Sequence, residues 1–307
     1  MKVFHGLNNL DRIPRRTICT IGVFDGVHCG HRFILQRLIN RAKREKSSSL
    51  VITFHPHPYK LVRPECSPPL LISLRHRLFL MERMGIDFCL VIPFNKKFAH
   101  LSPLFFVKNI LFKHLKIKAL YLGDNFRFGF RQEGDIQLLK ELSKKFDFCL
   151  NIISPLKYRK RIISSSWIRR EVCAGNLELV SHLLGHPYSI YGKVIKGEGR
   201  GKVLGFPTAN LDIEQEAIPP SGVYLVKVYL DKKIYPALLY IGTKPTFSKR
   251  GFLSVEVYLL NFRGKLYGRY LEVEFIKRLR AERRFKKISA LISAMKQDEL
   301  SARQFFS

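Results

Sequence analysis

Acidic residues are scarce in this chain: 24 Asp and Glu stand against 54 Lys and Arg, giving a formal net charge of +30 over 307 residues. It holds no apolar run long enough to span a bilayer, and its N-terminus lacks the apolar core of a secretory signal. We therefore expect a cytoplasmic protein. Six cysteines include no CxxC pair, so neither a disulfide framework nor a zinc site is expected.

The positive charge is spread along the chain and has no sequence signature of a known nucleic-acid-binding module. An excess of this size attracts polyanions in general. No zinc finger or aromatic RNA-binding stretch accompanies it. We expect no nucleic-acid partner, although a basic nucleic-acid-binding protein remains the alternative from a different class. The sequence explains neither the charge nor the oligomeric state.

The first 185 residues alternate between short apolar runs and helical patterns. This alternation predicts an α/β domain with a doubly wound parallel sheet and helices on both faces. Ligands of such sheets bind beyond the carboxyl ends of the strands. The predicted strands are 17–23, 50–54, 87–93, 117–122 and 148–153, and the predicted helices are 31–45, 72–85, 103–115 and 134–146.

The spacing of apolar residues changes from helical to alternating beyond Pro187, which predicts a second domain. Residues 223–229 and 254–258 alternate with period two, which favours a small antiparallel β-barrel. The tail, 288–306, reads as a terminal helix. We therefore predict domains at 1–185 and 186–307.

The stretch GVFDGVHCGH, 22–31, joins a buried strand to a helix. Asp25 and Gly26 predict a tight turn, and Gly30 allows the backbone to approach a bound group closely. His28 and His31 then fall where the helix begins, and unpaired N–H groups at a helix start attract phosphate. Two surface histidines are the plain alternative, and their spacing does not suit a metal site.

Three further loops follow predicted strands and carry candidate side chains. FHPHP, 54–58, is a rigid turn with projecting histidines, and GDNFRFG, 123–129, offers two phenylalanines that suit a flavin or an adenine. ISSSWIRR, 163–170, combines helix-capping serines with arginines that bind phosphate. From spacing alone, a loop packed by its own aromatic residues is favoured for 123–129, and a simple N-cap with exposed arginines explains 163–170 equally well. A rigid loop with incidental histidines is the alternative for 54–58.

The segment GKVIKGEGRGKVLGFPTAN, 192–210, opens the second domain. It lacks the Gly-Lys-Ser/Thr ending of a Walker A loop, yet its glycines and basic residues suit a polyphosphate. Thr208 and Asn210 offer oxygens for a hard cation such as Mg²⁺. A glycine-rich surface hairpin is the alternative interpretation.

Taken together, these motifs resemble the bacterial bifunctional riboflavin kinase/FAD synthetase family. The resemblance covers nearly the whole chain, because IGTKPTF at 241–247 and LRAERRF at 279–285 continue it in order. Ser166 and Asn261 depart from a family Thr and Asp. The resemblance implies that riboflavin is phosphorylated with ATP and Mg²⁺ to FMN, which is then adenylylated with ATP to FAD. A single active module, or an adenylyltransferase for another phosphorylated vitamin, remains an alternative.

The resemblance also implies a role for individual residues. Glu256, His28 and His31 would be catalytic, although alternation along its strand also allows a solvated Glu256. Thr208 and Asn210 would bind the metal. Nucleotide contacts are implied for Gly22, Phe24, Asp25, Gly26, His28, His31, His57, Asn125, Arg161, Ser164, Ser165, Arg169, Gly197 and Gly201. Flavin contacts are implied for Phe54, Pro56, Pro58, Asp124, Phe126, Phe128, Arg280 and Phe285.

Overall fold

A computed structural model describes residues 1–8, 10–197, 199–231, 233–244 and 252–307. The chain divides into two compact units: Met1–Pro68 with Leu74–Ser166, and Pro69–Ser73 with Trp167–Ser307. Residues 245–247 of the predicted IGTKPTF motif lie outside the described residues. The domain boundary at 185/186 stays a prediction. No helix in the described ranges is long and apolar enough to cross a membrane.

The first unit is built on a six-stranded sheet in the order β1-β4-β3-β2-β5-β6, with every pair parallel. This confirms the predicted sheet, whereas β1 at its edge was not predicted. A small hairpin, β7–β8, follows. The strands are β1 Lys2–His5, β2 Ile18–Ile21, β3 Ser49–His55, β4 Phe88–Pro93, β5 Ala119–Gly123, β6 Cys149–Ile153, β7 Lys157–Tyr158 and β8 Arg161–Ile162.

Helices connect these strands as the sequence pattern predicts. The segment predicted as one helix at 103–115 is a short α-helix followed by a π-helix, Phe106–His114. The α-helices are α1 Cys29–Arg44, α2 Pro58–Val62, α3 Leu74–Met84, α4 Lys96–Ala99, α5 Pro103–Phe105, α6 Ile136–Lys145 and α7 Ser165–Ala174, which runs across the division between the units. Single 3₁₀ turns lie at Leu10–Arg12, Pro64–Cys66 and Phe130–Gln132.

The central strands β2 and β3 are mostly apolar because helices cover both faces of a parallel sheet. Leu50, Val51 and Ile52 of β3 are all fully buried. Helix α1 places Leu35 and Leu38 against the sheet at helical spacing. The core therefore fixes the strand ends from which the loops emerge.

The order of strands changes direction at β2. The chain passes from β2 to β3 and β4 on one side, and returns to add β5 and β6 on the other. Such a switch point opens a crevice at the carboxyl ends of the two neighbouring strands. The loops after β2, β3 and β5 therefore emerge at the edge where a ligand is expected.

The second unit contains a closed six-stranded antiparallel barrel in the order β10-β13-β12-β11-β14-β9. The predicted barrel and terminal helix are confirmed. Its elements are α8 Leu177–Leu184, β9 Ser189–Ile195, α9 Arg200–Val203, β10 Ala209–Ile213, β11 Gly222–Leu230, β12 Lys233–Lys244, β13 Phe252–Leu259, β14 Tyr270–Ala281 and α10 Ile288–Phe306.

Candidate active sites

The loop between β2 and α1 has an unusual backbone. Phe24, Gly26 and Val27 all adopt positive φ angles of 55°, 85° and 41°. Such conformations cost free energy in residues other than glycine and concentrate at functional sites. The Val27 N–H donates to the Phe24 carbonyl at 3.1 Å, which closes the predicted turn. The loop thereby brings His28 to the N-cap of α1.

The two predicted histidines form a stacked pair. Their ring centroids lie 3.6 Å apart with an interplanar angle of 16°. Nδ1 of His28 accepts a hydrogen bond from the backbone N–H of His31 at 3.3 Å, which satisfies one free donor of the helix start. The first helical turn therefore fixes both rings in one orientation.

Burial keeps both imidazoles neutral at physiological pH. It lowers the pKa of His28 to about 4. The pKa of His31 lies well below its usual value, first because of burial and then because a protonated His31 would be repelled by a charged His28 and by Arg77. A neutral imidazole carries one N–H donor and one acceptor nitrogen. The pair can therefore donate to an anion without carrying a permanent charge.

Gly30 has a local role that the sequence did not reveal. A Cβ at this position would lie 3.1 Å from Cε1 of His28. The missing side chain therefore leaves room for the His28 ring. The close approach of a bound group at Gly30 stays a prediction.

The serine segment meets the same loop through Ser165. Its Oγ donates to the backbone carbonyl of Asp25 at 2.8 Å. Ser164 is half-buried, and Arg161 is exposed on β8. Arg169 is 9% exposed and belongs to the second unit.

An aromatic cavity of about 600 Å³ adjoins the start of the histidine loop at Gly22 and Val23. Its volume is typical of small-molecule sites. Phe126 and Phe128 stack at 5.6 Å in its wall. The cavity contains the predicted residues Gly22, Phe54, Pro58, Asn125, Phe126 and Phe128, together with Phe94, Phe98 and Phe106, which sequence reasoning missed.

Three predicted residues near the cavity do not line it. Asp124 is exposed, and Pro56 follows a cis peptide bond on the exposed side of its loop. His57 caps α2, where its Nδ1 accepts from the backbone N–H of Tyr59 at 3.1 Å. The structure thus gives His57 a local capping role.

The second unit contains a pocket of about 300 Å³ that is lined by Glu256. Thr208 Oγ1 donates to one oxygen of the Glu256 carboxylate at 2.9 Å, and Ser254 Oγ donates to the other at 3.0 Å. These bonds fix the orientation of the carboxylate. Val255 and Val257, its neighbours in β13, are buried on the opposite face, as alternation predicts.

The glycine-rich segment approaches the same pocket. A Cβ on Gly201 would lie 2.8 Å from Thr208 Oγ1, and one on Gly197 would overlap the Asn210 amide. Asn210 is the cross-strand partner of Glu256 between β10 and β13, although it does not line the pocket itself. Hydroxyl, amide and carboxylate oxygens therefore lie together, and this donor set fits a hard cation.

Arg280 and Phe285 also line this pocket, as predicted. Arg280 makes a bidentate pair with Asp298 of α10, with bonds of 2.7 to 3.1 Å. Its guanidinium lies 6.0 Å from the Phe285 ring. Sequence reasoning missed Asp298, which anchors Arg280 from the terminal helix.

Comparison with known proteins assigns each unit. Residues 10–167 match the family model described as FAD synthetase, and residues 184–306 match the model described as riboflavin kinase. A bifunctional riboflavin kinase/FMN adenylyltransferase of Escherichia coli (strain K12) is 38% identical over 309 residues, covering 100% of this chain and 98% of the relative. Its counterpart in Pseudomonas fluorescens is 36% identical, covering 99% and 97%.

A solved structure, described as a macrolide-efflux protein from Streptococcus pneumoniae, has a TM-score of 0.83 at 27% identity and covers 99% of both chains. The curated relatives match both halves of the chain in one continuous alignment. Together with the two family models, this shows that the chain belongs to the bifunctional riboflavin kinase/FMN adenylyltransferase family.

Proposed function

We propose that the second unit phosphorylates riboflavin with Glu256 as the base. The first unit adenylylates FMN, with His28 and His31 as hydrogen-bond donors to the phosphates. The observation that carries this assignment is the chemical difference between the two cavities. One holds an oriented carboxylate, and the other is aromatic and adjoins a loop that bears a histidine pair.

In the kinase step, the 5′-hydroxyl of riboflavin attacks the γ-phosphorus of ATP. The bond between the γ-phosphorus and the oxygen bridging to the β-phosphate breaks, and ADP leaves. Glu256 accepts the hydroxyl proton, since Thr208 and Ser254 hold its carboxylate in a fixed orientation. Arg280, held by Asp298, and Phe285 form the flavin side of the pocket.

Thr208 and Asn210 would hold Mg²⁺ with its nucleotide in this unit. Their oxygens suit the ion, and glycines at 197 and 201 leave space beside them. When bound there, the metal would supply neutralisation of the triphosphate charge. We propose that Gly197 and Gly201 approach the phosphates through their backbone.

In the adenylyl step, a phosphate oxygen of FMN attacks the α-phosphorus of ATP. The bond to the oxygen bridging the α- and β-phosphates breaks, and pyrophosphate leaves. The attacking oxygen is already ionised, so alignment and charge stabilisation matter more than a general base. His28 and His31 donate to the phosphates, assisted by the predicted contacts from Ser164 and Ser165. The phosphate contact of Arg169 stays a prediction.

The isoalloxazine ring of FMN would occupy the aromatic cavity between Phe54, Phe126 and Phe128. Flat aromatic walls suit a stacked ring. The cavity begins at Gly22 and Val23, so the flavin phosphate would point toward the histidine loop.

We further propose that the domains are 1–185 and 186–307 and that the protein works in the cytoplasm on small molecules. The closed barrel supports a kinase domain with its own core.

The direct test is to incubate purified protein with riboflavin, ATP and Mg²⁺ and to separate the flavins by chromatography. We expect FMN first and FAD later. Accumulation of FMN alone would indicate a single active module. Salt-sensitive binding of DNA without flavin turnover would instead support the nucleic-acid alternative.

A further inference from the structure

Arg77 is a buried cation behind the histidine loop. It lies on α3 and is only 4% exposed. Its Nη1 donates to the Val23 carbonyl and, at 3.0 Å, to Thr53 Oγ1. Thr53 Oγ1 also donates to the Val23 carbonyl at 3.3 Å. One guanidinium therefore joins the ends of β2 and β3.

Val23 and Thr53 both adjoin the site proposed for adenylyl transfer. Val23 lines the flavin cavity and lies five residues before His28 on the same loop. Thr53 directly precedes Phe54, another wall of the cavity. A shift of the Val23 carbonyl would therefore displace the loop between the flavin and the histidines.

The buried charge of Arg77 does not stabilise the folded protein. Burial lowers its pKa, and Asp25 is the carboxylate that offsets this effect. Among the described residues, its Nε has no hydrogen-bond partner. Keeping a buried charge with incomplete pairing costs free energy, and apolar replacements of such charges are often neutral or stabilising. A functional reason is therefore needed.

We propose that Arg77 is a positioning residue for adenylyl transfer, which fixes the Val23 carbonyl and thereby the start of the loop that bears His28 and His31. His28 on the loop and Arg77 on α3 are the titratable groups that act on His31, and Asp25 and Cys89 act in turn on Arg77. Nδ1 of His31 is buried and has no partner in the described part of the chain, so a proton there would add a cation beside Arg77.

The test compares variants that separate charge from hydrogen bonding. Arg77→Gln keeps an N–H donor but removes the charge, Arg77→Lys keeps the charge, and Thr53→Val removes only the hydroxyl. The pH dependence of kcat/KM for FAD formation from FMN reports free-enzyme groups. Histidine Cε1 resonances, with His31 assigned by His31→Gln, report its protonation directly. The riboflavin kinase rate of each full-length variant serves as the control for folding.

We expect Arg77→Gln to lower FAD formation by about 10- to 100-fold, as for other residues that orient catalytic groups. The acidic limb of its pH profile of kcat/KM and the titration of His31 should both move to higher pH, because the Arg77 charge that repels a proton on His31 is gone. Arg77→Lys should leave the limb in place. Thr53→Val should lower the rate without moving the limb.

Parental FAD formation by Arg77→Gln, or an unchanged acidic limb and His31 titration in that variant, would overturn the inference, even if thermal stability falls. If Arg77→Gln does not fold, an Arg77→Lys or Thr53→Val limb displaced to higher pH would overturn it instead. The inference rests on the proposed adenylyl transfer. Failure of that proposal is distinguishable, because the parent protein would then form no FAD.

Discussion

The two candidate sites differ in the structural element that carries their central side chains and in the chemical group that these side chains supply. In the first unit, His28 and His31 lie at a loop–helix junction with three positive φ angles, and both rings are neutral. In the second unit, Glu256 lies inside a regular strand and is held by side chains from its own and a neighbouring strand segment. An acceptor phosphate already carries its charge, whereas an acceptor hydroxyl needs a base. The comparison indicates that the acceptor determines which group each site must supply.

The largest effect is expected from removing the carboxylate charge. Glu256→Gln preserves shape but cannot accept the riboflavin proton, so FMN formation should fall by roughly 10²- to 10⁴-fold. FAD formation from supplied FMN should continue. Glu274→Gln is a matched control, because Glu274 lies on β14 outside this pocket. Kinase activity within a few-fold of the parent would show that Glu256 is not the base.

A somewhat smaller loss is expected from the histidine pair. His31→Ala should reduce FAD formation by roughly 10²- to 10³-fold, the usual loss for a donor to developing charge. His28→Asn should reduce it too while keeping an N-cap acceptor for α1. His114→Ala removes a half-buried histidine of the same unit, outside the histidine loop, as a control. If both site variants form FAD at the parental rate, the histidines do not contact the phosphates.

A moderate effect is expected at the anchor of the flavin pocket. Asp298→Asn weakens the bidentate pair with Arg280, so KM for riboflavin should rise by about tenfold, or about 1.4 kcal/mol. Asp212→Asn, on an exposed position of β10, is the control. An unchanged KM with a lower melting temperature would leave Asp298 with a structural role only.

The last expected effect concerns stability rather than activity, and it is the response of the first unit to acid. The pKa of His28 falls from 6.5 to about 4 on folding, so the unfolded chain binds more protons between these values and stability decreases as pH falls through this window. Between pH 7 and 5 the parent should lose about 2 kcal/mol more than His28→Asn, whose residue 28 does not titrate. Hydrogen exchange of β2 amides, corrected for intrinsic rates, measures this difference. Equal losses would show that His28 is not buried as a neutral ring.

Much of the fold follows from the sequence because the hydrophobic patterns of both units are strong. Continuous apolar runs predicted the parallel sheet, and alternation predicted the barrel. The edge strand β1, by contrast, pairs only with β4, and its four residues carry little pattern.

Side chains that act across the fold could not be predicted in the same way. Arg77 lies in an ordinary amphipathic helix, and its bond to Val23 spans 54 positions. Asp298 resembles a surface acid until α10 packs against Arg280. Phe94 and Phe98 are indistinguishable from core aromatics in sequence, because only the folded segment after β4 places them around a cavity.

The central claim is that each of the two reactions takes place in its own unit with its own catalytic residues. A mixing experiment tests this claim most directly. Glu256→Gln and His31→Ala are each supplied with riboflavin, ATP and Mg²⁺, first alone and then together, and the flavins are separated by chromatography. We predict that Glu256→Gln alone leaves riboflavin unchanged, that His31→Ala alone accumulates FMN, and that the mixture forms FAD. Loss of both FMN formation and FMN adenylylation from either single substitution would contradict the claim.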